Sequence, residues 1–117
     1  MTAKSLFDKA IKLVGYGAIK GSPRITDRTL EIINEVYADL HFAVCDDRFV
    51  PIRSLSDEVH LPDRLLNTAA VYGICAALGE GENDDTIAIL YGEKYNKARR
   101  TAFIGKVKDS MPSPSDC

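Results

Sequence analysis

The chain has 117 residues, 45% of them hydrophobic and 27% charged, enough for one domain around a single core, which excludes both a disordered polymer and a pair of ordinary domains. Net charge is −2, with 8 basic against 9 acidic residues in positions 1–60 and 7 against 8 in 61–117, so neither half is a basic arm for sequence-independent nucleic-acid binding. Cys45, Cys75 and Cys117 lie far apart without a C-x-x-C pair and fit a reducing compartment better than a disulfide framework, and with only His41 and His60 beside them no zinc-ligand spacing is present.

Leu6, Phe7, Ala10, Ile11 and Val14 recur at helical spacing and predict a first helix over about Thr2 to Val14, with Ser5 and Asp8 placed as a capping box. Asp8, Lys9 and Lys12 interrupt this apolar set, so the segment lacks a signal-type apolar core, and no run elsewhere reaches the roughly 18 apolar residues of a membrane span. The expectation is a protein neither exported by such a signal nor embedded in a membrane. Gly15, Gly17, Gly21 and Pro23 then break regular structure. Their spacing superficially suits phosphate binding, but a dinucleotide fingerprint follows a strand and opens a helix, whereas this one follows a helical pattern, so an interhelical loop is expected.

Thr26 or Asp27 can cap a second helix, with Leu30, Ile33, Tyr37, Leu40 and Val44 as its apolar stripe and Ile32 and Val36 widening it. Glu31, Glu35 and Asp39 fall four apart and read as a solvated acidic face, since carboxylates that share acid–base work need one desolvated member. His41 near the helix end suits the negative end of the dipole and has no evident catalytic partner. After a turn at Asp46-Asp47, Phe49, Val50 and Ile52 form one short apolar segment. Glu58-Val59-His60-Leu61 forms another, with Val59 and Leu61 on one side and Glu58 and His60 on the other. A two-stranded β ribbon is expected across Arg53 to Asp57, with Pro51 confining the first strand to an edge. So small a ribbon must pack on the helices or pair with a neighbouring chain.

Pro62 suits the first position of a central helix, because its missing N–H has no partner there anyway. Leu66, Ala69, Ala70, Gly73 and Ala77 give that helix a broad small-residue side, and Leu65, Tyr72 and Ala76 extend the apolar surface. Glycine inside a helix costs about 1 kcal/mol relative to alanine, so Gly73 calls for a packing reason, and Cys75 reads as a small core residue. Gly79 and Gly81 are expected to stop the helix. The acidic connection Glu80 to Asp85 lacks the ligand pattern of a calcium loop.

Asn83 or Asp84 can cap a last helix with Ile87, Leu90, Tyr91, Ala98 and Ala102 on its inner face. Lys94, Lys97, Arg99, Arg100, Lys106 and Lys108 are all basic, with no acid among them, which suits a helix C-terminus or an acidic surface. Gly105 is expected to end or loosen this helix. The composition of DSMPSPSDC reads as a disordered tail, giving a domain over 1–108 and a tail over 109–117. The fold class expected is all-α, about four helices in one small bundle with the ribbon between the second and third long helices. No cofactor or metal is called for.

The order of these features carries a resemblance. A short first helix and a Gly-rich loop precede I-N-E-V-Y-A-D-L. The string P-I-R-S-L-S-D-E-V-H-L-P follows, then A-V-Y-G-I-C-A-A-L, an acidic loop and L-Y-G-E-K-Y-N-K-A-R-R. The string resembles the small head–tail connector (head completion or adaptor) proteins of tailed bacteriophages and prophages. Asp57, Leu61-Pro62, Tyr72-Gly73, Ala76 and Tyr95-Asn96 are the most telling residues, over roughly Leu6 to Ala102.

The resemblance implies a structural, non-enzymatic protein of the virion neck, built in the host cytoplasm as a ring between the portal protein and a downstream neck or tail protein. Such a ring lies close to DNA and extends its channel, and the free subunit can be a monomer. The Gly15 to Gly21 loop and the segment after Lys108 depart from the pattern. Candidate subunit or portal contacts are Glu58 and His60 on the ribbon, Glu80, Glu82, Asp84 and Asp85 in the acidic connection, and Lys94, Lys97, Arg99 and Arg100 in the basic stretch. Pro62, Gly73 and Gly79 are the structural positions. Two competing readings follow from the residues: a small helical nucleic-acid-binding packaging or regulatory module using Lys94 to Lys108, and a small enzyme using His41 or His60 with Asp57 or Glu58.

Overall fold

The structure, a computed structural model, describes residues 1–15, 23–45 and 48–109, with side chains except at 23–27 and 105–109. It is mostly helical: α1 (Ala3–Val14), α2 (Pro23–Val44), a single turn α3 (Asp63–Leu66), α4 (Ala69–Gly81) and α5 (Asp85–Asp109). The Asp46-Asp47 turn, most of the glycine-rich loop and the tail beyond Asp109 lie outside the described residues.

α1 begins as its apolar spacing predicts, but the cap is Thr2. The Thr2 hydroxyl accepts from the Ser5 amide at 3.2 Å, so Ser5 is already in the first turn. Gly15 ends α1 in the left-handed region at φ 77°, where its N–H donates to the Ile11 carbonyl. α2 is under way from Pro23, so Thr26 and Asp27 lie within the helix instead of capping it.

α4 is apolar around most of its circumference and occupies the centre, packing most extensively on α5 and also on α1, α2 and α3. Its Val71, Ile74, Cys75 and Leu78 are buried with Leu6 and Ile11 of α1 and Ile33 and Leu40 of α2. The Cys75 thiol donates to the Ala10 carbonyl of α1 at 3.6 Å. Gly73 lies where α4 meets both α2 and α5: a Cβ there would stand 2.9 Å from two Tyr95 ring carbons and from Val36 Cγ1.

The central helix is not continuous from Pro62. Asn67 Nδ2 donates to the Asp63 carbonyl and Thr68 Oγ1 to the Arg64 carbonyl, side-chain bonds that compete with helix continuation. At Thr68 the backbone turns to φ −127°, ψ −88°, which separates α3 from α4. Nor does α4 stop at Gly79. It continues to Gly81, and Gly79 instead admits the start of α5, since a Cβ there would fall 2.7 Å from the Ala88 amide nitrogen. Asn83 takes the left-handed turn at φ 58°, and the Asp84 carboxylate caps α5 through the Ile87 amide at 3.2 Å. α5 passes through Gly105, the position expected to end or loosen it, and runs to Asp109.

The β ribbon is not formed, and no strand occurs among the described residues. The backbone of the two segments finds other partners. Asn34 of α2 accepts from the Ile52 amide at 2.8 Å and donates to the Ile52 carbonyl at 2.9 Å, taking both groups a ladder would have used. The second segment meets the N-terminus. Ala3 N–H donates to Asp57 O, Val59 N–H to Met1 O, and a single antiparallel bridge joins Thr2 to Glu58. Ile52, Val59 and Leu61 of these segments are buried. Residues 48–61 are therefore irregular chain fastened to α1 and α2, which satisfies the same requirement that buried backbone groups be paired.

Candidate functional site

The candidate catalytic residues do not converge on one site. His41, in the last turn of α2, is buried, with ring centroids of Phe49 and Phe42 5.5 and 5.8 Å away and that of Tyr37 at 6.2 Å. It belongs to an aromatic cluster and not to an exposed helix end. The Asp57 carboxylate accepts from the Arg53 and Ser54 amides at 2.8 and 3.1 Å and so caps the turn beneath it. Glu58 accepts from the Met1 amino group at 2.9 Å. The His60 side chain is exposed, while its amide donates to the Tyr37 hydroxyl at 3.2 Å. Among the described residues, no three His, Cys, Asp or Glu side chains converge as metal ligands, and no helix is long and apolar enough to cross a membrane.

Cys75 is a buried free thiol pushed up to about 12 by its burial, which suits packing and not nucleophilic attack at neutral pH.

A concave feature lies elsewhere. A groove of about 620 Å³, open along one side, runs between the α3–α4 junction and α5. One wall is Arg64, Leu65, Thr68 and Tyr72; the other is Lys94, Lys97, Ala98, Thr101 and Ala102. The walls follow from helical spacing. Lys94, Lys97 and Thr101 recur three and four apart on α5, and the break at Thr68 turns Arg64 and Leu65 toward them. The floor is apolar and the rim carries three cations. Lys94 Nζ sits 5.6 Å from the Tyr72 ring centroid, a cation–π contact that still leaves the ammonium exposed. No carboxylate lines the groove.

The predicted charged residues thus divide. Lys94 and Lys97 line the groove; Arg100 is exposed away from it. Arg99 faces α2, where its Nε donates at 2.8 Å to the Asp39 carboxylate, which also accepts a short hydrogen bond from the Tyr95 hydroxyl. Asp39 is therefore an α2–α5 tie, unlike the solvated stripe expected of it. Burial first and then this carboxylate raise the Tyr95 pKa. Glu80 and Asp85 are exposed at the α4–α5 turn, with Glu82 and Asp84 partly buried between them.

Sequence reasoning missed Arg64, Thr68, Tyr72 and Thr101 as groove residues. Arg64, Thr68 and Tyr72 do fall four apart, but nothing in their own segment indicates that α5 lies opposite. No family model matches the chain, and comparison with curated proteins and with solved structures gives no match.

Proposed function

We propose that this chain is a structural subunit of the neck of a tailed bacteriophage or prophage virion, built as a ring between portal and tail that extends the DNA channel. The observation that carries the reading is the ordered string of connector-like segments from Leu6 to Ala102, which falls on one helical body. Two features add support. The strap 48–61, which contains Asp57 and Leu61 of the most telling residues, is fastened to the body by Asn34, Tyr37 and the N-terminus, and so offers a fixed outer surface. The acidic turn and the cationic groove are separate surfaces of opposite sign, which suits a head-to-tail contact, since that joins two different surfaces. In this role the protein works as a non-enzymatic part of the particle, assembled in the host cytoplasm, with the portal and the next neck or tail protein as partners.

The test is co-assembly with the portal protein of the same phage or prophage, followed by native mass spectrometry and electron microscopy. A stoichiometric ring on the portal is expected, and failure to bind it overturns the reading.

A second reading, a nucleic-acid-binding packaging or regulatory protein, is favoured by one observation, the three groove cations without an acid among them. It predicts duplex binding whose log–log salt slope is roughly −2 to −3, at about −0.9 per phosphate neutralised. Binding of this kind without portal binding would favour the second reading over the first.

A further inference from the structure

We infer that the groove between the α3–α4 junction and α5 is the socket for the acidic α4–α5 turn of a second copy of this chain. The inference deepens the neck-ring reading and rests on it for biological meaning, though the contact can be measured without the portal.

The socket's chemistry is mixed. Arg64, Lys94 and Lys97 form the rim, while Leu65, Ala98 and Ala102 form the floor. Three cations alone would suit phosphates, but a phosphodiester chain offers nothing to an apolar floor. A protein segment with carboxylates beside an apolar side chain satisfies both. Contrast with Arg99 shows what the rim lacks: one turn along the same helix, that guanidinium has Asp39 of its own chain.

The complementary surface is on this chain. Glu80 and Asp85 are exposed at the α4–α5 turn, and Ile89, one helical turn after Asp85, is 62% exposed. Asp85 and Ile89 share a face of α5 through their spacing of four, so acid and apolar side chain are presented together. The turn cannot enter its own groove. Asp85 and Lys94 lie on one continuous helix, nine residues and hence about 13 Å apart along its axis. The contact must form between copies. Because it joins two different surfaces it is heterologous, and repetition gives a ring if the rotation closes.

The experiment uses two double variants at exposed positions, Lys94→Glu/Lys97→Glu and Glu80→Lys/Asp85→Lys. Circular dichroism verifies the fold, and sedimentation and concentration-dependent amide shifts at low salt report association. Wild type is expected to self-associate, more weakly as salt rises, with amides of the groove and the acidic turn shifting together. Each variant alone sets like charges against each other and should associate at least about ten-fold more weakly. An equimolar mixture should recover association, since each groove then meets a turn of opposite sign.

A wild-type chain that stays monomeric at millimolar concentration overturns the inference, as does a mixture that recovers nothing. If Lys94→Glu/Lys97→Glu loses duplex DNA while its self-association is unchanged, the groove is a phosphate site and the socket is wrong. Portal binding separates the two readings: variants that bind the portal yet do not associate leave the neck function standing, whereas wild type that associates without binding the portal removes that function alone.

Discussion

At the scale of single residues, three glycines on neighbouring helices have different consequences. Gly73 is enclosed by Tyr95 and Val36, so Gly73→Leu forces the α2–α4–α5 junction apart and should cost about 1–3 kcal/mol in urea unfolding. At Gly79 the nearest atom is the Ala88 backbone nitrogen, which cannot rotate away as a side chain can, so even Gly79→Ala should destabilise. A methyl group at Gly92 would have nothing within 4 Å, and Gly92→Ala should stabilise by roughly 0.5–1 kcal/mol through helix propensity alone. Finding all three equivalent would contradict this account of α4–α5 packing.

Cys75 adds a pH dependence. Burial raises its thiol from the ordinary 9.0 to about 12, so above 9 the unfolded chain releases a proton that the folded chain retains. The contribution is complete below 9 and lost as pH rises toward 12. Tyr95, also raised by burial and by Asp39, acts in the same direction from its ordinary 10.0 upward. Cys75→Ala should therefore remove the part of the alkaline decline that begins near 9 and keep the part due to Tyr95, as measured by denaturant midpoints across pH.

At the scale of elements, the strap 48–61 shows how side chains can replace a sheet. Asn34 supplies Ile52 with both a donor and an acceptor in a half-buried site, so Asn34→Ala leaves two backbone groups unpaired. The expected cost is about 1–3 kcal/mol, with faster hydrogen exchange at Ile52 and earlier proteolysis within the strap. His60→Ala removes only an exposed ring and keeps the amide that donates to Tyr37, so the fold should be unaffected. The break between α3 and α4 belongs to this scale as well. It tilts Arg64 and Leu65 to face α5, and a continuous helix from Pro62 would not present the same groove wall.

At the scale of the molecule, the basic stretch is not one surface. Arg99 ties α5 to α2, but both partners are about two-fifths exposed (39% and 43%), so solvent screens the pair. Arg99→Glu should cost only about 0.2–1 kcal/mol from the lost pair, with some added repulsion from Asp39, whereas Arg100→Glu should leave stability unchanged. Loss of association in Arg99→Glu would consequently mix folding with contact. Lys94 and Lys97, which line the groove and pair with no carboxylate there, report contact more cleanly. A helical body with an acidic turn and a cationic groove on separate faces has the surface chemistry for repeated head-to-tail addition, which the neck reading requires.

The helical segments were legible in the chain, apart from the break between α3 and α4, because their evidence is local: the apolar stripes of α1 and α2 and the apolar sweep of α4 are written at a spacing of three and four. The core role of Cys75 and the crowding at Gly73 followed from the same pattern. Residues 49–61 misled because alternation and β-branching show only that a segment is extended and half-buried. Whether its amides pair with another strand, with Asn34 or with the N-terminus depends on what lies alongside. Helix ends failed for a related reason. Gly79 and Gly105 are weak local stops, and packing of α5 on α4 outweighs the roughly 1 kcal/mol cost of a helical glycine. The groove was invisible altogether, since Arg64 and Lys94 are thirty residues apart in sequence and share a rim only because the chain breaks at Thr68 and reverses at Asn83. Local periodicity thus determined which segments are helical and which faces are apolar, while the partners of the strap and the opposition of the groove walls arose only when distant segments were packed together.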